Sequence, residues 1–522
     1  MMKKNDLIQD LTTYHSLNEN QERNLNKIVE ISNKFHEEAD LGLNNSLVID
    51  KNTIVLESSH QPNFIPYPGT FKKAFLLDWF REKIGEQKGD AIALYGFLDQ
   101  NLSTASLLYQ NQIPGFKKTG KKKIGFNIGK DSSWKCFNKI NKPDHDLWEK
   151  EINGIKEYYL EYAKKNNSKI PTVTNNIDDI DELLWKSYER AGNFSDVNAF
   201  IYSKFCREIL DLNINFFRYS DIHNEKLFVD ECRWILQNLE KYNRVYNNAI
   251  ESRGLNIKKA AEFQIPLWYH CECGRKIPLF AGADNSSVGE CLTCGKKHNL
   301  FLGSEYEWVE KYYDKMGLNA VMRDIVFSEG LGESLYISGK GGSLEYGIIS
   351  HEILKAFQYN IPVILSWFSN DYYIGAVHYY SLCVLKNSFK IQIKDILDNS
   401  TNDKISSITS DISDKIQLLK NNGEDFKKIE YKYNNLINML YNIQKSFASV
   451  PSFYDLLVCT DLSSIKEKWR NSVEISDIET IEKSGTYAII SDVCYGTDFM
   501  AGISPENICL IHRNISSLGG FE

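Results

Sequence analysis

Two short stretches, WYHCECGRK at 268 to 276 and GECLTCGKKH at 289 to 298, hold the residues whose spacing points most directly to a chemistry. Cys291 and Cys294 form a CxxC followed by Gly295, a tight turn whose backbone amides face two thiolates. The upstream half departs from that form, with Cys271, Cys273 and Gly274. If knuckle spacing rules, His270 and Cys273 are the ligands; if sulfur preference rules, Cys271 and Cys273 bind together. Either pair completes a set of four soft or borderline donors, which suits tetrahedral Zn²⁺ with no position left for water. The expected metal is therefore structural, not catalytic.

A second group of polar residues sits in two irregular loops. The first is HQPNFIPYPG, from His60 to Gly69, and the second is GKGGS, from Gly339 to Ser343. His60 could donate to phosphate oxygens, while Pro62, Pro66 and Pro68 would restrict the loop and lower the entropy lost when it closes on a ligand. Lys340 between glycines could pair with phosphate, with the Gly amides as an anion nest and the following helix adding its dipole. GKGG is not a P-loop, because it lacks the GxxxxGK[ST] frame. Asp99 is a candidate for holding an ammonium or hydroxyl, and Arg323 for holding a carboxylate in bidentate fashion. The candidate catalytic residues are His60 and Lys340. The candidate substrate- and nucleotide-binding residues are Gln61, Asn63, Tyr67, Gly69, Asp99, Arg323, Gly339, Gly341, Gly342 and Tyr346.

The elements that must carry these loops are legible as periodicities. Residues 53 to 59 are an apolar β-prone run, FKKAFLLDWFREKIG has helical spacing, and DAIALYGFLDQ reads as a buried strand ending near Asp99. Strand, loop, helix, strand is a βαβ unit, and such units favour a parallel sheet with ligands at the carboxyl ends of its strands. The pattern returns as SLYIS, GKGGS, LEYGIISHEILKAFQ and IPVILSWF. Two separated units of this kind predict one split α/β domain: a first half with N-terminal helices over 1–145, a helical insertion over 146–265, a zinc ribbon over 266–302 and the second half over 303–400. Apolar residues at 3,4 spacing on either side of Gly423 predict an antiparallel helical hairpin, a coiled coil over 401–450 able to serve as a dimerisation arm. The remainder, 451–522, contains TYAIISDVC and NICLIHRNI, both strand-like.

At 522 residues the chain exceeds what one hydrophobic core covers, and its 42% hydrophobic and 25% charged content is that of an ordinary soluble protein. A net charge of −8 argues against general phosphate-backbone binding; the basic tract KKTGKKK reads as a solvated loop tip, with RNA contact the less favoured reading. No run is long and apolar enough for a membrane span and the start resembles no signal peptide, so the expected location is cytoplasmic, without a membrane partner. Eleven cysteines, an odd number in such a chain, predict reduced thiols and no disulfide.

The stretches SSHQPNFIPYPGTFKKAF with IALYGFLDQNL, and MRDIVFSEGLGESLYISGKGGSLEY with IPVILSW, together resemble the bacillithiol-synthesis cysteine-adding enzymes, or cysteine ligases. Arg323, Gly339, Gly341, Tyr346 and Pro362 stand at the matching points, and Asp99 is kept in the acidic turn. Gln100 and Asn101 replace a His and an Asp of that family, GKGG replaces its Gly-Pro-Gly-Glu turn, and a zinc ribbon is added. The resemblance implies a Rossmann-like core, a dimerising coiled coil and an ATP cleft akin to that of class I aminoacyl-tRNA synthetases. The implied activity is that of a carbon–nitrogen ligase joining cysteine, or a similar amino acid, to the amine of a small-molecule acceptor such as an amino-sugar conjugate. ATP, with Mg²⁺ as its companion ion, is the implied cofactor beside the structural Zn²⁺.

Overall fold

The apolar runs bounded by Gly, Pro and Asp become strands in the computed structural model, which describes residues 4–13, 16–42, 49–87, 89–166, 170–282, 285–301, 305–339, 345–449, 452–481, 485–496 and 503–518. In chain order the strands are β1 (Ile54–His60), β2 (Ala91–Phe97), β3 (Gln110–Pro114), β4 (Lys121–Gly125), β5 (Asn215–Arg218), β6 (Gln264–His270) and β7 (Lys276–Ala281). They continue with β8 (Ser287–Glu290), β9 (Lys297–Leu300), β10 (Met316–Leu318), β11 (Glu333–Ser338), β12 (Val363–Tyr372), β13 (Ile478–Ile481) and β14 (Thr486–Cys494). Seven of them form one sheet in the order β13-β14-β12-β11-β1-β2-β5. All neighbours are parallel except β13, which runs against β14 at the edge.

The chain thus builds outward from β1 to β2 and β5, then returns to the other side of β1 with β11, β12 and β14. This is the doubly wound, Rossmann-like order expected of two βαβ halves. Right-handed crossovers taken in opposite directions must lay their helices on opposite faces. Helix Pro68–Glu86, with Phe71 and Phe75, accordingly packs with Ile54 and Leu56 on one face. Helix Gly347–Phe357, with Ile349 and Ile353, packs with Val55 on the other. Strands covered on both sides read as unbroken apolar runs, as in β2, whose seven residues are all buried.

The segment between the halves is largely helical, including His145–Lys165 and Leu239–Arg253, but it also contains β5, which joins the central sheet beside β2. The ribbon is a five-stranded antiparallel sheet in the order β10-β6-β7-β8-β9. KKTGKKK forms the turn and start of the β3–β4 hairpin.

The predicted hairpin is present as helices Thr401–Asn421 and Lys427–Phe447, with Gly423 at φ 71° in the turn. Its base packs through Leu440, Ile443 and Phe447 into the main core. At the C-terminus β14 is a strand as expected, whereas residues 505–516, read from NICLIHRNI as strand, form a helix. Pro505 at its first turn and the Ser504 side chain, which accepts from the Asn507 amide, start it; Ile508, Ile511 and Ile515 then fall on one buried face. Cys494 and Cys509 are joined in a disulfide, contrary to the expectation of reduced thiols throughout. Composition alone does not bring two cysteines together; here the strand end and the helix do. Among the described residues no helix is long and apolar enough to cross a membrane.

Candidate functional site

Because β1 and β11 are adjacent and parallel, with Ser58 opposite Ile337, the loop after His60 and the loop after Ser338 emerge side by side at the same edge of the sheet. This is the point where strand order reverses, and diverging crossovers leave a crevice there. Gly339 lies beside Lys73: a Cβ at Gly339 would be 3.5 Å from Lys73 Cε and 3.7 Å from its Nζ. Lys73 Nζ donates to Ser59 O at 3.0 Å, and burial pushes its pKa down to about 8 against the pull of Glu57. Lys340, Gly341 and Gly342 lie outside the described residues.

His60 ends β1 with Nδ1 at 2.8 Å from Gln61 O. Burial, then the neighbouring Lys73, pushes its pKa down to about 3, so the ring is neutral. A neutral imidazole that donates through Nδ1 leaves Nε2 as an acceptor. The expected role as donor to phosphate therefore does not match the tautomer that the backbone imposes.

The rest of the first loop is held from behind. Asn198 donates to Pro62 O at 2.7 Å, the Phe64 amide to Leu107 O at 3.0 Å, and the Phe453 amide to Pro66 O at 2.8 Å. Ile65 is fully buried at φ 41°, with its carbonyl accepting from the Asn111 side chain. Asn63 is buried, Tyr67 stands at the N-cap of helix Pro68–Glu86, and Gly69 is an exposed residue of that helix's first turn. Asn63, Tyr67 and Gly69 thus shape the loop and helix entry, while Gln61 faces the crevice.

The crevice is a cavity of about 810 Å³, within the range of small-ligand sites. Gln61 and Asn101 enter it from the ends of β1 and β2, Arg323 from the first turn of helix Ala320–Leu331, and Tyr346 from the start of helix Gly347–Phe357. The opposite wall is aromatic and comes from the insertion and ribbon: Tyr242, Tyr246, Trp268 and Phe280. Asn319 caps the Arg323 helix by accepting from the Met322 amide at 2.7 Å. The guanidinium lies 5.7 Å over the Tyr219 ring and donates to Leu318 O at 3.4 Å. Lys276, the first residue of β7, also lines the cavity, its Nζ 5.3 Å from the centre of the Trp268 ring. Burial pushes its pKa down to about 8, opposed by Cys136.

Beneath the crevice lies a group of buried acids. Glu57 of β1 accepts from Tyr219 Oη at 3.3 Å, and burial followed by Asp324 pushes its pKa up to about 8. Asp324 accepts from Ser350 Oγ at 2.5 Å and is raised by burial to about 6. Glu333, at the start of β11, is raised well above the carboxylate range by burial and by Glu57. Asp99 belongs to a different opening, a polar cavity of about 1190 Å³ between the sheet and the ribbon. Its two oxygens accept from the Ser220 amide and Asn138 Nδ2, each at 3.1 Å, and burial raises it to about 6. Asp99 is thus a bracket between the ends of β2 and β5, with both oxygens engaged.

In the ribbon the two turns bring Cys271, Cys273, Cys291 and Cys294 together, all four sulfurs within 4.8 Å of one another. Cys271 Sγ is 3.6 Å from Cys294 Sγ, and Cys273 Sγ is 3.5 Å from Cys291 Sγ. A Zn–S bond of about 2.3 Å implies a tetrahedral edge of about 3.8 Å, so the set fits zinc with a slight expansion. Gly274 at φ 94° and Gly295 at φ 70° make the turns, with the Gly295 amide donating to Cys291 O at 2.7 Å. Of the two ligand sets open in the sequence, the geometry selects the four sulfurs. His270 points elsewhere: its Nε2 is buried without a hydrogen-bond partner among the described residues, close to Gly317 and Gln100. Among the described residues, groups of three or more His, Cys, Asp or Glu donors near enough to share an ion occur only in this ribbon.

No family model and no curated protein matches the chain. A solved structure described as a "putative arginyl t-RNA synthetase" from Campylobacter jejuni aligns over 94% of this chain and 96% of its own, at 10% identity and a TM-score of 0.22. A score that low carries no argument, and the function must be read from the site itself.

Two lining groups of the crevice, Lys276 and Trp268, were not singled out by spacing, nor was Lys73, which stands at the tip of β1 beside Gly339. Lys73 follows Lys72 in FKKAF, and only the helix phase tells them apart. Lys72 is buried in an ion pair with Asp371 at 2.7 Å, whereas Lys73 reaches the strand tip.

Proposed function

We propose that the crevice above β1 and β11 binds ATP and that the protein is an ATP-dependent ligase, activating a carboxylate such as that of an amino acid for attack by an amine. The observation that carries this reading is the emergence of two loops from adjacent parallel strand ends at the strand-order reversal, with Lys73 beside Gly339 and with Arg323 and the start of helix Gly347–Phe357 on the cavity. The aromatic wall of Tyr246, Trp268 and Phe280 suits a planar base, and the cationic side suits phosphates. ATP would supply the leaving group for carboxylate activation. Arg323 and Lys340 would bear the phosphate charge, and His60, through its bond to the Gln61 carbonyl, would hold Gln61 toward the ligand. Any Mg²⁺ would arrive with the nucleotide.

The cysteine-ligase resemblance supports cysteine as the first amino acid to try. The test is amino-acid-dependent release of pyrophosphate or phosphate from ATP. Arg323→Ala and Lys340→Ala should each lower turnover at least about tenfold; unchanged turnover in both would remove the assignment. The proposal includes a homodimer through the helical hairpin, supported by the exposed Leu418 and Tyr431 on its arms. Light scattering should then give twice the chain mass, falling to the monomer mass in a Leu418→Glu, Tyr431→Glu variant.

A further inference from the structure

We propose that Lys276, delivered by the metal ribbon, is an anion-binding residue of the crevice and that with Arg323 it holds the oligophosphate of the ligand. Lys276 opens β7 and pairs in register with His270 at the end of β6, so it stands at the mouth of the turn that carries Cys271 and Cys273. Its ammonium lies over the Trp268 ring, and Lys276 lines the same cavity that Arg323 enters from another element. Among the described residues neither Lys276 nor Arg323 has a carboxylate within ion-pair distance. The charges acting on Lys276 are Cys136 and Asp99, which favour its charged form, and Arg323, which opposes it.

Two largely desolvated cations that face one crevice and disfavour each other are costly unless an anion joins them. The backbone nearby cannot be that anion. A pyrophosphate group can, since it presents several acceptors to a point-charge ammonium and a forked guanidinium at once. The ribbon would then be a wall of the site, with its metal fixing the hairpin from which Lys276 projects. That the phosphates belong to ATP rests on the function proposed above; the anion site itself does not.

The test is calorimetric titration of the full-length, metal-loaded protein with inorganic pyrophosphate and, separately, with ATP. Wild type should bind pyrophosphate, Lys276→Met should bind it at least about tenfold more weakly with unchanged metal content, and Lys276→Arg should recover most of the affinity. A second measurement needs no variant: amine acylation followed by peptide mass spectrometry should show Lys276 protected by pyrophosphate. The inference is overturned if wild type does not bind pyrophosphate, or if K276M binds it as wild type does and Lys276 is not protected. Pyrophosphate binding through Lys276 without ATP binding would leave the anion site standing and sink the ligase reading. ATP binding with pyrophosphate affinity indifferent to Lys276 would do the reverse.

Discussion

Glu57 lies on the central strand, 2% exposed, with the Tyr219 hydroxyl as its hydrogen-bond donor. Its pKa is raised from 4.5 to about 8, chiefly by burial and then by Asp324, with Arg323 and Lys73 opposing. Below the ordinary value the carboxyl is neutral in folded and unfolded chains alike. Between the two values the folded chain keeps a proton that the unfolded chain releases, so stability falls as pH rises through this window, and the loss is complete above about pH 8. At about 1.4 kcal/mol for each tenfold change in proton affinity, the ceiling on this loss is about 5 kcal/mol. Glu57→Gln keeps an acceptor for Tyr219 and removes the titration. Urea unfolding of both proteins, followed by tryptophan fluorescence at pH 5 and pH 8.5, isolates the effect, because Asp324 and Glu333 remain in each. The variant should gain about 2–4 kcal/mol on wild type between the two pH values. A gap that stays constant or narrows would refute the assignment of Glu57 as a carboxyl kept neutral by its surroundings.

Other outcomes follow from particular contacts. Asp99→Ala leaves the Ser220 amide and Asn138 without their acceptor at the joint between β2 and β5 and should cost about 2–3 kcal/mol, read from the same urea titration. Cys273→Ala, or treatment with a strong chelator, should remove one zinc per chain by elemental analysis. It should also raise protease cleavage within 264–300 while β1, β2 and β11 stay protected from hydrogen exchange. Lys72→Met removes the ammonium that lies over the Trp367 ring and leaves Asp371 with the Tyr495 hydroxyl but no countercharge; it should cost about 3–5 kcal/mol, and the double change with Asp371→Leu should recover part of it.

Much of the architecture was legible because parallel strands covered on both faces must be apolar along their length. IALYGF and IPVILSW have few other readings, and Gly and Pro mark where they stop. Strand β5 escaped for the opposite reason: NFFR is four residues long, lies between helices, and joins the sheet only because β2 needs an outer neighbour. The C-terminal helix was misread because Cys509, Ile511 and Ile515 mix with polar residues at both periods, and its cap at Ser504 and Pro505 outweighs local strand preference. The adjacency of the two loops followed from βαβ logic. Lys276 could not, since its place in the crevice depends on the ribbon folding back over the sheet, a relation with no local signature. The ligand choice in the ribbon turned on a single residue of spacing, and His270 lost because its ring is turned away from the sulfurs and buried beside Gly317.

The backbone at Ile65 has a mechanical consequence. A β-branched residue at φ 41° would swing back to an ordinary conformation if released. The Asn111 amide of the β3–β4 hairpin grips its carbonyl, so that hairpin works as a catch on a bent spring. Loosening the catch with Asn111→Ala should free the turn at Phe64 and Ile65 while the tip of β1 stays paired with β2, so the loop would relax behind the crevice without any change to a residue that lines it.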